Sequence, residues 1–412
     1  VTAATDAPSA GRWSVAIAGA VSLAVAMGIG RFAFTPLLPM MLHDGVVDLH
    51  TASWLASANY LGYLAGALLC TFQPWIWARV RGLPRVNGPL LVRGGLVATG
   101  LLTLGMALPV PAAWALLRFA AGVASAVVFV YTSGWCLAQL ARRDAPHLGG
   151  VIFVGPGAGI VITGLSASAM VQWQWLASAG WSIFGVLAFV LTACVWKIFH
   201  GEATAAPTAK AAAAGIDAGA RHGATEVGLL AIAYGIAGFG YIVTATFLPV
   251  IARAALPGSP WLDMFWPIFG LGVMAGALLA TRMKMGGDMR LLLAGCYAVQ
   301  AAGIGVSLWS PSLAGFAIGS LMLGVPFTAI TFFAMHEVRR IRPHQAASTM
   351  GLVTAVYGIG QIVGPPLAAL SLRHSADTGA GFTLSLEIAI TALLIGVALY
   401  LWLMRAYPML RG

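Results

Sequence analysis

Twelve apolar stretches, each long enough to cross a bilayer, follow one another along this chain. They lie at roughly 14–41, 50–72, 89–109, 112–139, 148–171, 174–198, 227–252, 261–282, 290–309, 312–335, 346–371 and 382–404. A run of about 18 or more apolar residues suffices for a helix to traverse the hydrocarbon. Inside lipid every backbone N–H and C=O needs a partner within the protein, which restricts spanning chains to helices or closed barrels. The ten-residue alternation of a membrane barrel is missing, so the expected fold is all-α and embedded in the lipid bilayer. Only 8% of the residues are charged, against about 25% in soluble domains. Residues 1–12 are polar and the first apolar run is too long for a cleavable signal.

The net charge of +10 raises the question of a nucleic-acid partner, but its distribution argues against one. With the N-terminus inside, 18 of the 22 Lys and Arg fall in cytoplasmic loops and ends, and the outside loops hold only Arg253 and Arg373. That bias is the positive-inside pattern. It predicts a multi-pass protein of the cell inner membrane with both termini cytoplasmic. The two remaining cations, Arg31 and Arg118, fall inside apolar runs. Cys70, Cys136, Cys194 and Cys296 also lie within runs, which speaks against a structural disulfide and for small buried apolar residues.

Comparison of the chain with itself reveals a duplication. At a shift of 210 residues, Leu61-Gly62-x-x-Ala65-Gly66-Ala67-Leu68-Leu69 matches Leu271-Gly272-x-x-Ala275-Gly276-Ala277-Leu278-Leu279. The same shift places Gly28, Gly30, Leu38 and Pro39 on Gly238, Gly240, Leu248 and Pro249. Arg142-Arg143-x-x-Pro146-His147 recurs as Arg339-Arg340-x-x-Pro343-His344. Two parallel six-helix units are an arrangement of secondary transporters, with the substrate near the midplane between them. The expected division is 1–199 and 226–412, joined by an Ala-rich cytoplasmic linker over 200–225.

These segments resemble the major facilitator superfamily and, within it, the YbfB/YjiJ-type family, over essentially the whole chain. Gly28-Ile-Gly-Arg31-Phe-Ala-Phe-Thr-Pro-Leu-Leu-Pro39 is similar to that family's signature, with Gly238-Phe-Gly-Tyr241-Ile-Val-Thr-Ala-Thr-Phe-Leu-Pro249 as its symmetry mate. Arg118-Phe-Ala-Ala-Gly122-Val-Ala-Ser125 resembles the superfamily's fourth-helix motif, and Gly155-Pro156-Gly157-Ala-Gly159 its antiporter-associated Gly-Pro motif, which Gly360-x-x-x-Gly364-Pro365 echoes. The resemblance implies twelve helices in two pseudo-symmetric bundles, with helices 1, 4, 7 and 10 lining a central cavity. One departure concerns the usual carboxylate after the second helix: Cys70 follows Gly66 at that spacing, and Ala280 follows Gly276. Arg79, Arg81 and Arg85 would then have to latch differently, with Glu337 as the available acid.

Arg31 and Arg118 are the first candidates for substrate contact. An arginine at the bilayer centre costs about 2.5–3.5 kcal/mol even on insertion scales, so it implies a cavity, a partner or a ligand. The guanidinium suits carboxylate, phosphate or sulfonate groups, which it grips bidentately. For Arg118 the alternative is a role in capping carbonyls and organising helix packing. Tyr241 holds the position of Arg31 in the second repeat, and with Phe34, Phe239 and Thr244 it suggests a ring-and-hydroxyl wall. Tyr357 and Gln361, one turn apart, are further candidates.

Proton coupling needs a titratable group reachable from both sides. The candidates are Glu387, Asp263 and Glu337; exchange against a counter-anion stays equally open. Gly28, Gly30, Gly155, Pro156, Gly157 and Gly159 are candidate hinge or gating positions. The eight histidines sit in loops, in the linker or near helix ends, and neither a metal cluster nor a nucleophile–base pair nor a phosphate loop is evident. No enzyme activity, cofactor or metal is therefore expected. The sequence points to a secondary transporter of a small organic, anionic or zwitterionic solute, working as a monomer by alternating access. A proton-coupled exporter of hydrophobic or cationic drugs is the alternative.

Overall fold

A computed structural model describes residues 11–80, 87–200, 223–259, 261–283, 288–343 and 346–408. Among them, twelve helices are long and apolar enough to span a membrane. They are α1 (Arg12–His43), α2 (Leu49–Gln73), α3 (Gly88–Gly105), α4 (Pro111–Ala141), α5 (Pro146–Gln172) and α6 (Ala177–Val195). A second six follow: α7 (Ala224–Ala255), α8 (Leu262–Arg282), α9 (Met289–Trp309), α10 (Leu313–Ile341), α11 (Thr349–His374) and α12 (Thr378–Ala406). Successive spans run in opposite directions, so Arg12 and Ala406 lie on one face of the bundle, here the termini face; the opposite side is the far face. The expected linker lies almost wholly outside the described residues, as do Arg81 and Arg85.

Helix ends depart from hydropathy where polar side chains take over. The helix of α2 continues to Arg79, past the apolar limit, and α10 reaches Ile341 through Arg339 and Arg340. Asp48, Asn87, Ser312 and Asp377 begin α2, α3, α10 and α12 by accepting a backbone N–H of the first turn. The turn into α6 is made by Gln174 in the left-handed region. The α6 start is held by Asp44, whose carboxylate accepts the Ala177 N–H at 2.7 Å.

The duplicated glycine segments do the same work in both halves. A Cβ on Gly62 of α2 would fall 1.9 Å from the Phe119 carbonyl of α4, and one on Gly276 of α8 would fall 1.8 Å from that of Val325 in α10. Backbones approach this closely only where the side chain is missing. Between the two sets of six, α2 packs along α11, α5 along α8, and the end of α1 against α7; α4 and α10 form no comparable seam.

At the termini face of the last six helices a charge cluster is buried. Arg290, 1% exposed, meets Glu226 at 3.3 Å, Asp288 at 2.8 Å and Glu337 at 3.4 Å, and donates to the Leu403 and Tyr407 carbonyls. Arg340 also holds Glu337. Two expectations change. Arg290 is no surface loop charge, and Glu337 is engaged within this cluster instead of latching to Arg79, which lies over the Trp75 ring.

Candidate functional site

Helix α1 is not a regular helix, and its interruption creates the site. From Ala24 to Ile29 it widens into a π-helix; Gly30 to Ala33 form turns, and an α-helix resumes at Phe34. Glycines weaken the stretch, and Pro36 supplies no N–H to the carbonyl of Phe32 and crowds it. π-segments inside helices often mark functional positions. The close crossing with α5 fixes the bend, since a Cβ on Gly28 would fall 2.4 Å from the Cα of Gly159.

Broken helices leave carbonyls that must be satisfied inside the protein. Arg118 of α4 serves that need. Its Nη1 donates to the Gly30 carbonyl at 3.3 Å and its Nη2 to that of Arg31 at 3.1 Å. The guanidinium lies 4.9 Å over the ring of Phe34. Asn59 joins from α2, donating to the Arg118 carbonyl at 2.9 Å, and Ser125 donates to Ala26 at 2.6 Å. Arg118 is therefore committed to the backbone of α1, the carbonyl-capping alternative instead of a substrate contact; Phe34 is buried beneath it instead of lining a wall.

Arg31 is differently placed. It is 3% exposed, yet none of the described carboxylates lies within ion-pair distance of it. Its Nη2 donates to the Gln361 side-chain oxygen of α11 at 2.6 Å, and the Gln361 amide donates in turn to the Tyr241 hydroxyl of α7. Its Nε is buried without a partner. Rings surround the charge: Tyr63 at 4.0 Å, Tyr60 at 5.2 Å and Phe32 at 5.4 Å, all within cation–π range. Arg31, Gln361 and Tyr241 thus form one chain of contacts that bridges the first and last six helices.

Packing around this point is asymmetric. Toward the far face, three hydrogen bonds join the two sets of helices. They are Thr35 to the Ala245 carbonyl at 2.9 Å, Tyr60 with Thr246 at 2.9 Å, and Ser57 to the Ile362 carbonyl at 3.0 Å. Toward the termini face, Tyr63 and Tyr357 lie one turn beyond the buried Tyr60 and Gln361 and are only half-buried, as is Phe327.

The other expected positions scatter. Tyr357 stands beside Tyr241. Phe239 is half-buried and makes no ring contact among the described residues, while Thr244 is buried with an unpartnered hydroxyl. Asp263 pairs with Arg253 at 2.6 Å near the far face. Glu387 is exposed on α12, away from the ring-lined site, so it does not join Arg31. Gly155 packs on Ala20 of α1 within the first six helices, and Gly157 on Gly270 of α8 across the seam between the two sets. The interruption in α5 lies just before them, at Phe153–Val154, where Pro156 leaves the Ile152 carbonyl without its usual donor. Among the described residues no group of three or more His, Cys, Asp or Glu is placed to hold a metal. Asn59, Tyr60, Tyr63, Tyr234 and Phe327 escaped the sequence reading. The polar and aromatic face Asn59-Tyr60-x-x-Tyr63, one helical turn long in an apolar run, was the available signal.

Comparison with known proteins bears on the fold and the family. Two crystal structures of the nucleoside transporter NupG share the fold. One, of a point mutant, aligns with a TM-score of 0.71 at 12% identity, over 94% of this chain and 99% of that one. The other aligns with a TM-score of 0.66 at 14% identity, over 97% and 99%. No curated protein matches by sequence. Residues 23–401 match the family described as "Uncharacterised MFS-type transporter YbfB". The chain therefore belongs to the YbfB family of major facilitator transporters, an all-α membrane protein with the twelve-helix fold of that superfamily.

Proposed function

We propose that this protein moves a small organic anion, or a zwitterion presenting an anionic group, across the cell inner membrane by alternating access, with its termini in the cytoplasm. The observation that carries the reading is Arg31: a guanidinium buried between the two sets of helices, whose hydrogen-bond acceptor is the neutral oxygen of Gln361. A carboxylate arriving from the termini face can replace that oxygen and also reach Nε, giving the two-point contact to which arginine is suited. Displacing Gln361 breaks a bond between the two sets of helices, so binding acts on the equilibrium between their arrangements.

A cationic substrate fits poorly, because the described carboxylates nearest in sequence to the site are engaged elsewhere or face outward. The same fact favours exchange against a counter-anion over proton coupling through an acid beside Arg31.

The test is a thermal-shift screen of the purified protein against carboxylates, neutral solutes and amines. Selective stabilisation by carboxylates, lost in a folded Arg31→Gln variant, is the expected result. Equal stabilisation of Arg31→Gln refutes the reading. In proteoliposomes, flux that requires a trans anion and ignores an imposed pH gradient supports exchange; flux that follows the pH gradient refutes it.

A further inference from the structure

The open wall of the Arg31 site is made of flat rings. Tyr234 and Tyr357 stack at 4.6 Å with planes 24° apart, and Tyr357 continues to Tyr241 at 6.2 Å and 21°. Three phenols from α7 and α11 thus form a nearly parallel ladder. Phe327 of α10 meets Tyr241 edge-on at 5.0 Å and Phe32 at 6.0 Å. Tyr63 of α2 covers the guanidinium at 4.0 Å. Of these rings, Tyr63, Phe327 and Tyr357 are the half-buried ones, and Tyr63 and Tyr357 lie one turn toward the termini face from Tyr60 and Gln361.

Three of the five phenol hydroxyls are already used. The Tyr234 hydroxyl donates to Thr331 at 3.0 Å, that of Tyr60 pairs with Thr246 at 2.9 Å, and that of Tyr241 accepts from Gln361. A ligand whose anionic group reaches Arg31 must lay the next few atoms of its body between Tyr63, Phe327 and Tyr357. Hydroxyls or a second carboxylate there would lose water and find mainly ring faces in exchange, with only the Tyr63 and Tyr357 hydroxyls to offset the loss, an unfavourable replacement. A planar ring offers those faces an offset or edge-on partner.

We infer that the ligand is an aromatic monoanion, with a carboxylate or equivalent group borne on or within about two atoms of a planar ring. This rests on the proposed anion role of Arg31. It excludes sugar acids and short dicarboxylates as preferred substrates.

The test measures binding of benzoate, cyclohexanecarboxylate, succinate, gluconate and benzyl alcohol to the full chain in detergent, by calorimetry. Benzoate is expected to bind most tightly, about 2- to 12-fold ahead of cyclohexanecarboxylate, the range that corresponds to an aromatic pair beyond its area burial. That lead should vanish in Tyr357→Leu, with Tyr63→Leu as the second variant should the first fail to fold. Arg31→Gln should lose all the carboxylates. Cyclohexanecarboxylate or succinate matching benzoate, with dependence on Arg31 retained, overturns the aromatic inference and leaves the anion reading standing. Benzyl alcohol matching benzoate in both wild type and Arg31→Gln overturns both. Absence of benzoate binding at millimolar concentration, while succinate or gluconate binds, also overturns the inference, as does failure of every probe to bind.

Discussion

Arg118 offers a sharp test of how the site is built, because its contacts assign it to the backbone of α1 and not to ligand. Replacing it by Met keeps much of the side-chain volume but removes both donors. The Arg31 carbonyl then loses its bond to Nη2, and the Gly30 carbonyl keeps only a long 3.5 Å contact from Asn59. A buried polar group left unpaired costs about 1–3 kcal/mol, so two of them predict a loss on the order of 2–6 kcal/mol. Relief from burying a guanidinium works in the opposite direction and places the outcome toward the lower end. Soluble-protein scaling gives an unfolding entropy on the order of 0.9 kcal/mol/K for 412 residues. Arg118→Met should therefore melt roughly 2–7 °C below wild type on that scale. Amide hydrogen exchange should rise locally, over Gly30 to Phe34 and the π-segment before it. The matched control is Arg31→Gln, which leaves those carbonyl bonds intact and should alter α1 exchange little. An Arg118→Met protein with wild-type melting and unchanged exchange across α1 refutes the assignment.

Two further outcomes follow from contacts away from Arg31. Tyr60→Phe removes one of the three hydrogen bonds that close the far face; at about 0.5–1.5 kcal/mol for a net bond, far-face labelling of an Ala245→Cys probe should rise roughly 2- to 12-fold, and unchanged labelling contradicts the latch. Burial alone would push the Asp288 carboxyl up, but hydrogen bonds from the Arg290 side chain and backbone, with the Arg290 charge, hold it below the usual carboxylate range. Its folded pKa thus lies below the unfolded one, so its stabilisation is present above the ordinary carboxylate pKa and is lost as pH falls through the depressed value. Asp288→Asn should flatten that acid limb of a melting-temperature profile; an unchanged limb removes the contribution.

The twelve spans were legible because lipid leaves the backbone few options, and the duplication was legible because glycines at helix crossings tolerate no substitute. Arg31, Tyr241 and Gln361 each stood out singly as polar or charged groups in apolar runs. Their union did not, since Arg31 and Gln361 are separated by 330 positions and meet only through the packing of α1, α7 and α11. Arg118 stood open between substrate contact and carbonyl capping because sequence shows a charge and hides an unwound turn; the carbonyls that occupy it exist only after α1 breaks. Tyr60 and Tyr63 passed as part of an apolar run because hydropathy averages over the face they share. Arg290 passed as a loop charge because it stands at the very start of α9, one residue into the helix, where a topology count cannot distinguish a solvated arginine from one enclosed by Glu226 and Glu337.

The bond between Arg31 and Gln361 bears on what drives the cycle. Gln361 lends the empty site a dipole and no counter-charge, so on the proposed reading the anion-loaded protein reorients electrically neutral, whereas an empty site would have to carry a bare positive charge across. A membrane potential acts on a charge with about 2.3 kcal/mol per 100 mV for the full field, and here it acts only on an empty crossing, which lies outside the exchange cycle. With the cytoplasm negative, the vacant guanidinium is drawn toward the cytoplasmic opening, where it can load again. The resting voltage thus leaves one-for-one exchange of monoanions untouched, holds an empty protein ready to load from the cytoplasm, and turns any slippage through the empty crossing into anion export without a proton having to move.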